Sequence, residues 1–112
     1  MAEVATAPEN RHKLAPEKSL VTSEMITRLE VEIDALSEHL EIPRDFIVPG
    51  ESQLSASLDV ARTVVRRAER LAVDYALGDS LVVAYLNRLS DLVWTMARFT
   101  EGKNHRTVKT KD

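Results

Sequence analysis

The segment ARTVVRRAER, residues 61–70, carries two stripes of side chains at helical spacing. At 3.6 residues per turn, Arg62, Arg66 and Glu69 fall on one side of a helix. The apolar stripe on the other side extends beyond the segment in both directions and consists of Leu58, Ala61, Val65, Ala68 and Ala72. The pattern predicts an amphipathic helix with one buried face and one charged face.

Two further helices are predicted, one before and one after this segment. The first begins at Thr22 or Ser23, either of which can cap a helix, and ends before Pro43. The third has a broad apolar stripe that we expect to be largely buried. Gly78 is expected to provide a left-handed stop, and Asp79 or Ser80 is expected to cap the third helix. Because this loop is short, the second and third helices are predicted to be antiparallel neighbours. The predicted bounds of these two helices are Gln53 to Leu77 and Leu81 to Phe99.

Length and composition favour a single all-α domain. The chain has 112 residues, of which 44% are hydrophobic, 29% charged and only 4% aromatic, and no alternating apolar and polar run requires a sheet. We therefore predict an antiparallel bundle of three main helices. The predicted organisation is a flexible N-terminal arm at residues 1–20, a helical domain at 21–101 and a flexible basic tail at 102–112.

Several function classes are disfavoured by charge and residue usage. The net charge of -3 argues against a general nucleic-acid binder. The chain has no cysteine, and its three histidines share no ligand spacing, so no metal site is predicted. No apolar run approaches the roughly 18 residues that span a membrane, and the first residues lack a signal-peptide core. A cytoplasmic protein is expected.

Two charged patches on neighbouring helices form a candidate anion site. The arginine cluster is defined as Arg62, Arg66, Arg67 and Arg70 on the second helix. The polar patch is defined as Asn87, Arg88 and Asp91 on the third, whose spacing of three and four residues makes the side chains converge. Arginine occupies every cationic position of both patches, and its planar guanidinium suits contacts to carboxylate or phosphate. The alternatives are a solvated face with weak ion pairs and a local contact to nucleic acid.

A second candidate is Phe46, which lies in an apolar connection between the first two helices. It can be a core residue beneath a loop, or an aromatic wall of a ligand cavity. No phosphate-binding glycine loop, nucleophile elbow or poised histidine base is present, so a hydrolase is not indicated.

Three ordered motifs resemble the C-terminal half of the PduO-type corrinoid adenosyltransferases. They are FIVPG at residues 46–50, ARTVVRRAER at 61–70, and LNRLSD at 86–91 followed by AR at 97–98. The resemblance covers roughly residues 20–103. Members of that family are helical bundles that assemble as trimers, with each active site between adjacent subunits. They transfer the 5′-deoxyadenosyl group of ATP to the cobalt of cob(I)alamin and release triphosphate.

The resemblance implies roles for individual residues. Phe46 matches the aromatic that packs beneath the corrin and displaces the lower axial ligand, and it is expected to be catalytic together with Arg66. Arg62 matches an arginine that pairs with an acid of the neighbouring subunit, and Arg88 and Asp91 are expected to be structural. The positions that match the ATP-binding residues of the family are Arg66, Arg67, Glu69, Arg70 and Asn87.

The chain also departs from the family pattern. Nothing in residues 1–19 resembles the threonine- and glycine-rich segment that wraps the ATP phosphates. Glu51 stands where the family usually has glycine, and Asp59 stands where a histidine is common near the corrin. The sequence is thus interpreted as a short or truncated homologue.

The expected function is an ATP:cob(I)alamin adenosyltransferase whose substrates are ATP, with Mg²⁺, and a reduced corrinoid. The expected assembly is a homotrimer without a nucleic-acid or membrane partner. The alternative is a non-catalytic helical module that retains the family scaffold and binds nucleotide or corrinoid.

Overall fold

The computed structural model describes residues 2–16, 18–39 and 53–101, and these ranges are predominantly helical. Within them, the only β-type pairing is an isolated bridge between Pro16 and Leu20. The all-α class predicted from the sequence is confirmed. The α-helices are α1 (Ala2–Ala5), α2 (Ser23–Ser37), α3 (Gln53–Ala72) and α4 (Val82–Glu101), and a 3₁₀ helix (Pro8–Lys13) follows α1.

The start of α2 is fixed by the cap that the sequence predicted. The side-chain oxygen of Thr22 accepts a hydrogen bond from the backbone N–H of Met25 at 3.3 Å. In return, the N–H of Thr22 donates to the sulfur of Met25 at 3.4 Å. These two bonds satisfy backbone donors that have no partner within the first turn of a helix. The helix ends at Ser37, and Pro43 lies outside the described residues.

The end of α3 differs from the prediction, because the helix stops at Ala72 and not at Leu77. The N–H groups of Asp74 and Tyr75 bond to the carbonyls three residues earlier, at 3.4 and 3.0 Å, which tightens and closes the last turn. The predicted left-handed stop at Gly78 is wrong, since its φ lies outside the left-handed range. The predicted cap of the next helix is confirmed, because Ser80 Oγ accepts a hydrogen bond from the N–H of Val82 at 3.2 Å.

The helix α4 lies between the other two long helices. As predicted, α3 runs antiparallel to it, whereas α2 runs parallel to it, with its start beside Tyr85 and its end beside Met96 and Phe99. Both α2 and α3 pack against α4, whereas they make few contacts with each other. The start of α3 meets the end of α4 through Asp59 and Arg98, and the end of α3 meets the start of α4 through Glu69 and Asn87. The arrangement is therefore a layer in which α4 provides the surface shared by α2 and α3.

The apolar core of the described residues is small. Its buried hydrophobic side chains are Ala72, Val82, Leu86 and Ala97. The stripe on α4 that we expected to be largely buried is only partly so, because Met96 and Phe99 are 37% and 38% exposed. These two side chains border an apolar groove between the C-terminal parts of α2 and α4, beyond which α2 does not continue.

The N-terminal segment packs against the core. We assigned no secondary structure to residues 1–20, whereas the described part of that range contains α1 and the 3₁₀ helix. Val4 contacts the buried cluster of Ala72, Val82 and Leu86, and Glu3 is only 4% exposed. The boundary predicted at residue 20 stays a prediction, and the tail at residues 102–112 lies outside the described residues.

None of the helices in the described ranges combines the length and the apolar character needed to cross a membrane.

Candidate functional site

The arginine cluster lies on α3, on the side of the helix that faces away from the core. Arg66, Arg67 and Arg70 are exposed, whereas Arg62 is partly buried. Arg66 and Arg70 are one helical turn apart, so their guanidinium groups can reach the same ligand. The burial of Val65, Ala68 and Ala72 against α4 fixes this orientation, because it leaves the opposite face of α3 to the arginines.

A hydrogen bond connects the polar patch on α4 to Glu69, which lies beside the arginine cluster on α3. Asn87 Nδ2 donates to Glu69 Oε2 at 3.1 Å. On the polar patch, Arg88 Nη2 donates to Asn87 Oδ1 at 2.6 Å and lies 2.6 Å from Asp91 Oδ2. The convergence that we expected from the spacing of residues 87, 88 and 91 is therefore present, and the patch is linked directly to the carboxylate beside the arginines.

The electrostatics of the cluster favour an anionic ligand. No ion pair joins Arg66, Arg67 or Arg70 to a carboxylate among residues 2–16, 18–39 and 53–101. The nearest acid in sequence, Glu69, accepts its hydrogen bond from Asn87. Three exposed guanidinium groups on one helix thus retain donors for phosphate oxygens, which arginine binds through charge-assisted hydrogen bonds.

Arg62 has a different environment from the other three arginines. Its Nε atom is buried and has no hydrogen-bond partner among the described residues. A buried N–H without a partner costs free energy, so such a group in a native structure calls for an acceptor. An acceptor from outside the described part of this chain would remove that cost.

A network at the other end of α3 and α4 was not predicted. Arg98 Nη2 donates to both carboxylate oxygens of Asp59, at 3.1 and 2.8 Å, and Arg98 Nε donates to Glu101 Oε1 at 3.0 Å. The same guanidinium lies 5.5 Å from the ring centroid of Trp94. The spacing of Arg98 and Glu101 could have indicated their pairing, whereas no sequence signal connects Asp59 with Arg98.

Phe46 and Glu51 lie outside the described residues, so their predicted places stay predictions. Within the described ranges, no group of three or more His, Asp or Glu side chains is arranged to hold a metal ion.

Comparison with known proteins identifies relatives that match most of this chain. A sequence model of the family described as cobalamin adenosyltransferase matches residues 1–100. The match includes the N-terminal segment, which we had left outside the resemblance. A corrinoid adenosyltransferase PduO from Citrobacter freundii is 37% identical over 108 residues, which cover 94% of this chain and 31% of the relative. A corrinoid adenosyltransferase from Mycobacterium bovis is 49% identical over 83 residues, which cover 70% of this chain and 43% of the relative.

Solved structures show the same similarity. A PduO-type ATP:corrinoid adenosyltransferase from Lactobacillus reuteri, a phenylalanine-to-histidine variant complexed with cobalamin and ATP, superposes with a TM-score of 0.71 at 28% identity. The superposition covers 95% of this chain and 60% of that protein. An arginine-to-lysine variant complexed with ATP gives a TM-score of 0.70 with 96% and 60% coverage.

This chain therefore spans between about a third and three fifths of the length of these relatives. The family match over residues 1–100, the identity to enzymes of two genera and the shared helical fold lead to one conclusion. The chain belongs to the cobalamin adenosyltransferase family.

Proposed function

We propose that this protein is an ATP:corrinoid adenosyltransferase, which transfers the 5′-deoxyadenosyl group of ATP to the cobalt of a reduced corrinoid. The observation that carries the proposal is the arrangement of Arg66, Arg67 and Arg70, exposed and without carboxylate partners among the described residues, beside the Glu69–Asn87 hydrogen bond. The relatives that share this fold have been solved with ATP and with cobalamin.

The arginines would act on the triphosphate of ATP. In this transfer, the reduced cobalt forms a bond to C5′ while the C5′–O bond breaks, and triphosphate leaves with the electron pair. Guanidinium groups fixed beside the phosphates stabilise the charge that develops on the leaving group. We assign this role to Arg66, Arg67 and Arg70, with Arg66 as the catalytic arginine and Mg²⁺ bound through the phosphates.

Glu69 and Asn87 would hold the nucleotide in position. Because the Asn87 amide is oriented by Glu69 on one side and Arg88 on the other, its direction is fixed before ATP arrives. A preorganised polar group loses little conformational entropy when the ligand binds. Arg88 and Asp91 would then act by orienting Asn87 and not by touching ATP.

Phe46 is proposed to face the corrin and to exclude its lower axial ligand. This assignment rests on the FIVPG motif at residues 46–50. An apolar wall that keeps ligands from the metal tunes a cofactor whose reactivity is its own.

We further propose a homotrimer in which Arg62 pairs with an acid of the adjacent subunit. Two observations support it: the buried Arg62 Nε lacks a partner among the described residues, and Val60 and Val64 on α3 are 63% and 62% exposed. The predicted cytoplasmic location stays a prediction.

The proposal is tested by incubating the protein with ATP, Mg²⁺ and cob(I)alamin under anaerobic conditions and following the loss of the cob(I)alamin spectrum. Adenosylcobalamin is the expected product, and no product at high protein concentration would contradict the enzymatic assignment. Arg66→Ala is expected to lower kcat/KM by at least about tenfold, because it removes charge-assisted bonds to the triphosphate. The matched control is Arg28→Ala, which removes an exposed arginine of α2 and is expected to leave kcat/KM within about twofold.

A second candidate is a module that binds ATP or corrinoid without transferring the adenosyl group. Asp59 favours it, because this residue stands where the family commonly has a histidine near the corrin, and its carboxylate is bound to Arg98 at 2.8 Å. Calorimetric titration with ATP separates the two. Binding without turnover would support the module, whereas binding that survives Arg66→Ala would exclude the arginine cluster as the nucleotide site in either case.

A further inference from the structure

Glu3 is a buried acid with no assigned role in the proposed adenosyl transfer. Its side chain is 2% exposed, although it lies in a helix of only four residues near the N-terminus. Glu3 Oε1 accepts a hydrogen bond from the N–H of Val21 at 3.1 Å, and Glu3 Oε2 accepts one from Arg11 Nη2 at 3.3 Å. Arg11 Nη1 in turn lies 3.5 Å from Asp79 Oδ1 in the turn between α3 and α4.

We call these contacts the Glu3 clasp, defined by Glu3, Arg11, Asp79 and the N–H of Val21. The clasp joins three separate parts of the chain: the N-terminal segment, the residue before the cap of α2, and the α3–α4 turn. A buried ion pair is a weak source of stability, because the cost of desolvating both charges offsets most of their attraction. Its more specific effect is to fix the positions of the segments that it connects.

The segments fixed by the clasp cover the apolar cluster beneath the candidate nucleotide site. Val4 and Val21, which lie beside the clasp, both pack against the buried cluster of Ala72, Val82 and Leu86. Leu86 directly precedes Asn87, and Ala72 lies one turn after Glu69 on α3. The cluster therefore sets the separation of α3 and α4 at the point where Glu69 and Asn87 meet.

The Glu69–Asn87 contact is sensitive to that separation. At 3.1 Å it is a normal hydrogen bond, whereas an increase of about 0.5 Å would carry it beyond hydrogen-bonding distance. We propose that Glu3 is a positioning residue of the nucleotide site, which holds the cluster so that Asn87 is presented to ATP in one orientation. This inference rests on the proposed function for its ligand, and on the described contacts for its geometry.

The test compares Glu3→Ala with Glu9→Ala, which removes an exposed acid of the same segment. Two properties are measured well below the unfolding midpoint of each variant: the Asn87 side-chain amide resonance in a ¹H–¹⁵N spectrum without nucleotide, and the Kd of ATP by calorimetry. Glu3→Ala is expected to shift the Asn87 resonance and to raise the Kd by about tenfold, the effect of one misplaced charge-assisted contact. Glu9→Ala is expected to change neither property.

A folded Glu3→Ala protein with an unchanged Asn87 resonance and Kd would overturn the inference. If Glu3→Ala does not fold, Glu3→Gln replaces it, since its amide oxygen can still accept from Val21 while the charge facing Arg11 is lost. For Glu3→Gln we expect the same shift and a Kd raised by about threefold, and wild-type values for both properties would overturn the inference. A wild-type protein that does not bind ATP would refute the proposed function, whereas the Asn87 resonance would still decide the role of Glu3.

Discussion

Arg88 and Arg98 lie on the same helix, and each pairs with an acid three residues further on. Their surroundings differ. Arg88 and Asp91 have side chains that are 35% and 47% exposed, so water and salt screen their attraction. Arg98 and Glu101 are 11% and 1% exposed, and Arg98 also bonds to Asp59 on α3. The same local spacing therefore produces a weak surface pair in one case and a tertiary contact in the other.

We expect Arg98→Ala to lower the free energy of unfolding by about 3 kcal/mol or more, because it removes the cation that faces two partly or fully buried acids. Arg88→Ala, the matched change at the exposed pair, is expected to cost about 1 kcal/mol or less. Urea unfolding monitored by circular dichroism measures both. Equal losses for the two variants would contradict the distinction.

Residue spacing predicted some of these contacts and could not predict others. The Arg88–Asp91 pair follows from positions three apart on one helix. Asp59 and Arg98 are 39 positions apart, and their meeting depends on how far the loop lets α4 slide along α3, which is a property of tertiary packing. The same limit applies to Glu3, because its contacts with Arg11 and with the N–H of Val21, 8 and 18 positions away, depend on how the N-terminal segment folds back onto the start of α2.

At the scale of the elements, the side chains near helix ends predicted where helices begin better than where they stop. Thr22 and Ser80 are side chains that accept hydrogen bonds from free N–H groups, and both were predicted as candidate caps. The predicted end of α3 is too late because it rests on Gly78 as the helix stop, although the helix ends before Val73, Tyr75 and Leu77. In the structure these three side chains are 59%, 67% and 40% exposed, so no buried surface stabilises a longer helix.

The cap of α2 provides a test of this local contribution. Thr22→Ala removes the oxygen that accepts from the N–H of Met25, and we expect it to lower the free energy of unfolding by about 1 kcal/mol. Thr27→Ala makes the same replacement at an exposed position inside α2, where alanine is the better helix former, and it should be neutral or slightly stabilising. Thermal unfolding of both variants gives the comparison, and a Thr22→Ala protein as stable as Thr27→Ala would rule out the capping role.

At the scale of the whole molecule, three exposed apolar side chains lie in line on one face of α3. Val60, Val64 and Leu71 recur at helical spacing and are 63%, 62% and 56% exposed. Single exposed hydrophobic residues such as Val31 are common, whereas an aligned set on one helix is typical of a surface that another subunit covers. This pattern was present in the sequence, but the sequence could not show which apolar residues the chain would leave uncovered.

We expect Val64→Asp to disrupt the proposed trimer, because it places a charge within the apolar stripe of α3. Val31→Asp makes the same change on α2, at a residue that is 59% exposed, and should leave the assembly intact. Multi-angle light scattering after size exclusion gives the mass of each. A Val64→Asp protein with the trimer mass would exclude this stripe as the interface, and a monomeric wild type would overturn the trimer itself.

The central position of α4 affects when the chain can fold during its synthesis. Because α2 and α3 pack on α4 and hardly on each other, neither can bury its apolar face until the ribosome has synthesised residues 82–101. Proteins usually begin to fold from the N-terminus during synthesis, but here the earlier helices must wait for the later one. The nascent chain therefore exposes the apolar stripes of α2 and α3 until α4 emerges from the ribosome, and chaperones that bind hydrophobic segments should associate with it until then.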